Sequence, residues 1–147
     1  MAFDVIAGPG ADIEEPDWEL LIPEREDGNH DLLRQMAHRE WVRVTNELRD
    51  MQTLSPVNRH SVQRLVLAYI RYDLAASMVM KFGAVVAAKR TKVPQLNIWQ
   101  VEMRAADADA VGHEMELCLN PRRRASAGKV QRRTKRATAA DGYLKKA

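Results

Sequence analysis

The side chains best able to do chemistry in this chain are four histidines, one cysteine and a spaced pair of carboxylates. None of them forms a known catalytic or metal-binding pattern. His30 and His38 are eight apart, His60 stands alone, and His113-Glu114 has no second ligand at metal spacing. The chain contains no H-E-x-x-H, no G-x-x-x-x-G-K and no G-x-S-x-G. Zinc hydrolysis, a phosphate-cradling loop and a serine nucleophile therefore have no sequence support. Asp107 and Asp109 are two apart, which turns them to different sides of a helix. Cys118, between Leu117 and Leu119, reads as a small apolar packing residue. A single cysteine excludes an internal disulfide and a multi-cysteine zinc site. The expectation is a protein that is not an enzyme and has no metal and no cofactor.

Charge is the remaining chemical signal, and it is unevenly placed. The net charge is +3, but residues 1–30 hold nine acids and one base, whereas residues 121–147 hold ten bases and one acid. The basic end contains Arg122, Arg123, Arg124, Lys129, Arg132, Arg133, Lys135 and Arg136, followed by Lys145 and Lys146. Small and polar residues lie between them. Such a segment neutralises phosphates and releases counterions, and carries no base-reading logic by itself. It also suits an acidic protein partner. Lys89, Arg90 and Lys92 make a second, smaller cluster.

The elements that must hold these charges read as helices. Hydrophobic residues are 46% of the chain but aromatics only 5%, so the core rests on Ala, Val, Leu and Met. The first helix is expected from about Asn29 to Gln52, with Leu33, Ala37, Trp41, Val44, Leu48 and Met51 on one face. Ser55-Pro56 opens a second helix that runs to about Phe82, with Val62, Leu65, Val66, Tyr69, Tyr72, Ala76, Val79 and Met80 on its apolar face. Gly83 is its expected left-handed stop. Val85-Val86 and Val93-Pro94, separated by the basic cluster, suggest a short hairpin or extended arm. A third helix starts near Asn97, with Asn97 and Gln100 spaced as a capping box. Its inner stripe is expected at Val101, Ala105, Ala108, Gly112 and Met115.

The fold expected is therefore all-α: an antiparallel helical hairpin and a third helix, joined by a short hairpin or arm, with disordered tails. Three segments follow: an acidic, extended or disordered arm (1–28), a helical oligomerisation core (29–120) and a basic, flexible tail (121–147). Within the arm, Trp18, Leu20, Leu21 and Ile22 form an apolar group able to dock on the body. Three helices cover only part of the second helix, so Trp41, Tyr69, Tyr72, Ala105, Ala108 and Gly112 are candidate contacts between copies. No apolar run approaches the ~20 residues of a membrane span, and the first residues lack a basic signal-peptide start. The cytoplasm is expected.

The order of landmarks resembles the tailed-bacteriophage terminase small subunit family over roughly residues 38–133. Trp41 and Leu48 are followed by Leu54-Ser55, then Tyr69, Tyr72 and Ala75-Ala76, then Gly83 and Val85-Val86. Next come Val93-Pro94-Gln95-Leu96-Asn97, Ala105-Ala106, and the end Glu116-Leu117-Cys118-Leu119-Asn120-Pro121 before Arg122-Arg123-Arg124. The family usually reads Glu-Leu-Gly-Leu-Thr-Pro there, so Cys118 stands for glycine and Asn120 for threonine. The acidic N-terminal segment departs from relatives that begin with a basic one, and no separate helix-turn-helix is visible. The resemblance implies a non-catalytic subunit that assembles into a ring and binds double-stranded viral DNA at the packaging-initiation site. It also implies recruitment and regulation of the large ATPase/nuclease subunit in the host cytoplasm. The alternative is a helical adaptor or structural oligomer whose basic tail binds an acidic protein partner without a DNA role; a monomeric transcription regulator is a weaker third.

Overall fold

Apolar residues at steps of three and four build the first long helix, α2 (His30–Asp50), and Leu33, Ala37, Trp41, Val44 and Leu48 are all buried on its inner face. The computed structural model describes residues 13–124. Ahead of α2 lies one turn, α1 (Trp18–Leu21); behind it come a 3-10 turn (Pro56–Asn58) and α3 (Arg59–Phe82). Strands β1 (Val85–Ala87) and β2 (Pro94–Leu96) lead to α4 (Ile98–Glu116) and a last turn, α5 (Pro121–Arg124). The all-α reading holds, with the short hairpin as its only sheet among the described residues. Val85 pairs with Leu96 and Ala87 with Pro94, antiparallel, which puts the proline at the strand's start where its missing N–H is harmless.

α3 packs chiefly on α4 and secondarily on α2. Val44, Leu48, Val62, Leu65 and Val66 are the largest fully buried side chains, each contributing about 1.5–3 kcal/mol on burial. Two expectations need correction. On α3, Tyr72 and Met80 face outward, 37% and 87% exposed, whereas Ala68, Ile70 and Ala75 are buried. On α4 the stripe Val101, Ala105, Ala108, Gly112 and Met115 is exposed, and Ala106 and Ala110 turn inward. α4 carries small or apolar residues on two faces. Periodicity alone could not tell them apart, and the alanines let α3 approach on the face it uses.

Residues 13–28, expected as part of an extended or disordered arm, include a docked segment. Asp17 caps α1 by accepting from the Glu19 and Leu20 amides, and Ile13, Trp18 and Ile22 are buried. The Trp18 ring stands edge-on to Trp41 at 6.1 Å. Glu15 accepts from Trp18 Nε1 and contacts His38 Nδ1 at 2.9 Å. Arg34 donates to the Ile22 carbonyl and Arg59 to that of Glu14. Leu20 stays exposed at 79%. The apolar group thus divides, with Trp18 and Ile22 reaching the core. Residues 1–12 and 125–147, with the disorder expected of them, lie outside the described residues.

Two of the three long helices, α2 and α4, close in the same way. After α2, the Thr53 amide donates to the Leu48 carbonyl and the Gln52 amide to that of Arg49, with Gln52 at φ 59°. After α4, the Leu119 amide donates to Glu114 and the Cys118 amide to Met115, with Cys118 at φ 56°. These are Schellman closures whose left-handed position usually takes glycine. The reversal at Cys118 sends both Leu117 and Leu119 into the core. Gly83 does stop α3, but at φ 85°, ψ 159°, an extended positive-φ region open essentially to glycine alone rather than the left-handed helical one.

Candidate nucleic-acid interface

The two basic clusters sit beyond opposite ends of α4. Lys89, Arg90 and Lys92 occupy the exposed turn between β1 and β2, closed by Ala88 and Val93 and by the Lys92 amide donating to the Ala88 carbonyl. Lys92 holds a positive φ of 57° there. The neck of this hairpin is fixed by Asn97, only 5% exposed. Its side chain accepts from the Trp99 amide and donates to the Gly83 carbonyl at 2.8 Å, and its own amide donates to Ala84. Asn97 is thus the expected cap of α4, and the side chain also ties the end of α3 to it.

Arg122, Arg123 and Arg124 lie in α5, whose first turn is capped by Asn120 accepting from the Arg122 amide at 3.0 Å. The three arginines are not equivalent. Arg124 donates to the Leu119 carbonyl and forms an ion pair with Glu47 on α2. It anchors the start of the basic segment to the helical body, and nothing in the sequence separates it from its neighbours. Lys129, Arg132, Arg133, Lys135 and Arg136 lie outside the described residues. α4 has 19 residues, a length of about 28 Å, so no single phosphate meets both clusters on one chain.

The candidate contacts between copies fall in different settings. Trp41 is 4% exposed and covered by Trp18 of its own chain. Tyr69 is half-buried. It donates to Glu114 at 2.6 Å, and the Arg43 guanidinium lies 5.3 Å from its ring centre. Burial, and then the bond to Glu114, push its hydroxyl pKa well above the usual tyrosine range. Burial works against the Arg43 charge, but its bonds to Glu40 and Tyr69 outweigh that and raise its pKa. Tyr72, Ala105, Ala108 and Gly112 are exposed, and a Cβ added at Gly112 would meet nothing within 4 Å.

Histidine chemistry stays local. His38 contacts Glu15, and His113 contacts Glu116 at 3.2 Å. Among the described residues no group of three or more His, Cys, Asp or Glu is placed to hold a metal ion, and no helix is long and apolar enough to cross a membrane.

Compared with known families, residues 37–134 match the phage terminase small subunit. The chain belongs to that family. No curated protein and no solved structure matches it. The match starts inside α2 and runs past α5, so this terminase small subunit carries both exposed basic clusters within the family region. The docked segment Ile13–Ile22 precedes it. Membership gives the chain a part in phage DNA packaging, in a family whose small subunits are generally non-catalytic.

Proposed function

We propose that this chain is a non-catalytic small terminase subunit that assembles as a ring-shaped homo-oligomer and binds viral double-stranded DNA at the packaging-initiation site. It recruits and regulates the large ATPase/nuclease subunit in the host cytoplasm. The observation that carries the DNA role is the pair of exposed basic clusters at the two ends of α4, inside the family match. Phosphate contacts of this kind position a protein on DNA without specifying sequence, so site preference comes from ordered side chains of the body. The rival reading, an adaptor for an acidic partner, is favoured by one feature: Arg124 already pairs with a carboxylate.

The test is DNA binding across a salt series. The full-length chain is compared with a variant carrying Arg122→Ala, Arg123→Ala, Arg132→Ala, Arg133→Ala and Arg136→Ala. Arg124 is kept because it anchors α5. Each phosphate that is no longer neutralised flattens the slope of log K against log salt by about 0.9, so the slope falls by about four to five and all sequences weaken alike. An unchanged slope assigns the tail to a protein partner.

A further inference from the structure

The contiguous core stops at Ile70 on α3 and resumes only at Ala110 on α4; residues 71–109 add nothing to it. The two helices and the hairpin therefore continue as an arm, α3 alone extending about 18 Å past the core. Eight of the fourteen large hydrophobics exposed among the described residues lie on this arm, from Tyr72 to Val101, including Met80, Phe82 and Ile98. Among them Tyr72 and Met80 on α3 and Val101 on α4, with Met115 farther along α4, present about 400 Å² of apolar surface.

That surface has two complementary parts. α4 offers a shallow seam, Val101, Ala105, Ala108, Gly112 and Met115, at alternating steps of four and three, the spacing that keeps one face against a neighbouring helix. α3 offers a ridge of Tyr72, Ala76 and Met80, spaced by four. Charge matches as well. Arg104, exposed beside the seam, has no ionic partner among the described residues. Asp73, exposed on the ridge side, has none either, and Glu40 repels it. Within one chain the seam faces away from α3, so seam and ridge cannot meet.

The geometry points to a head-to-tail contact between copies, in which the α4 seam of one chain receives the α3 ridge of the next and Arg104 meets its Asp73. This rests on the homo-oligomer reading and specifies it. Each copy uses two different surfaces, so the contact propagates from copy to copy and forms a ring when the rotation between copies closes. Small residues in the seam accept Tyr72 and Met80 as knobs, and like-oriented copies gather their Lys89-Arg90-Lys92 turns on one rim.

The experiment uses two full-length variants that leave the core intact: Ala108→Trp fills the seam and Met80→Asp spoils the ridge. Light scattering should find the wild type oligomeric and each variant monomeric, with unchanged helical circular dichroism. An equimolar mixture should give a one-to-one dimer and nothing larger, because one good seam meets one good ridge. Met80→Asp dimerising alone would overturn the proposal in favour of a two-fold α4 contact. Wild-type mass in either variant, or a monomeric mixture, would overturn it while leaving oligomerisation standing. A monomeric wild type would overturn both. Arg104→Asp should weaken association about tenfold, and Asp73→Arg should restore it.

Discussion

Cys118→Gly should stabilise the protein, although it removes a side chain. Cys118 holds φ 56°, where a Cβ crowds the following carbonyl oxygen at a cost of about 1–2 kcal/mol. Glycine occupies this region without that penalty but loses more backbone freedom on folding, about 0.5–1 kcal/mol. The two closing hydrogen bonds, Leu119 to Glu114 and Cys118 to Met115, come from backbone amides and survive the change. The Cys118 side chain is only partly buried, so it gives up little packing. The net gain is about 0.5–1 kcal/mol, which in a chain of this size is roughly 2–4 °C in melting temperature. The assay is thermal unfolding by circular dichroism at fixed protein concentration, since association also shifts the midpoint. Cys118→Ala is the control: it removes the thiol but keeps the Cβ, and should gain nothing. An unchanged or lower midpoint for Cys118→Gly, or an equal gain for Cys118→Ala, would refute the role given to the backbone. The same logic makes Gln52→Gly stabilising at the end of α2.

Two further outcomes follow from the bonds around the arm and the bundle. Asn97→Ala removes the cap of α4 and the donor to Gly83. It should cost about 1–3 kcal/mol, read as a lower denaturant midpoint with loss of hydrogen-exchange protection starting at the hairpin. Tyr69→Phe deletes the bond to Glu114 and should cost about 1 kcal/mol near neutrality. The native hydroxyl has a raised pKa, so its contribution is complete below the unfolded value near 10 and fades as pH climbs through the folded one. The gap between Tyr69→Phe and wild type should therefore narrow in unfolding curves taken above pH 10. A gap that widens there would refute the assignment.

Legibility in the sequence tracked how many faces each element has. α2 has one apolar stripe, and Leu33, Ala37, Trp41, Val44 and Leu48 went inside as their spacing required. α3 and α4 have more apolar positions than one core can take. For these, spacing predicts a helix without saying which face packs. Ala106 and Ala110 were buried and Ala105 and Ala108 exposed, a choice made by the close fit against α3. The glycine usual in the Glu-Leu-Gly-Leu pattern has a local cause, the left-handed turn that Cys118 still makes. The docked segment was half-legible for a different reason. Its excess of acids suggests solvation, but two anchors, Trp18 and Ile22, are enough to hold it.

The charged residues were the least legible, because a sequence shows charge and not what opposes it. Arg122 and Arg124 read alike, yet Arg124 is tied to Glu47 and the Leu119 carbonyl. Arg71 and Arg104 are both arginines of the helical body, but Arg71 bridges Glu102 and Asp109 while Arg104 faces solvent without a partner among the described residues. Partnered charges fix the geometry of one chain. Charges left open beside apolar surface, Arg104 at the α4 seam and Asp73 at the α3 ridge, are the ones available to a neighbour. The arm explains why they are left open. Between Ile70 on α3 and Ala110 on α4 no residue joins the contiguous core, and a second copy can supply a further layer there.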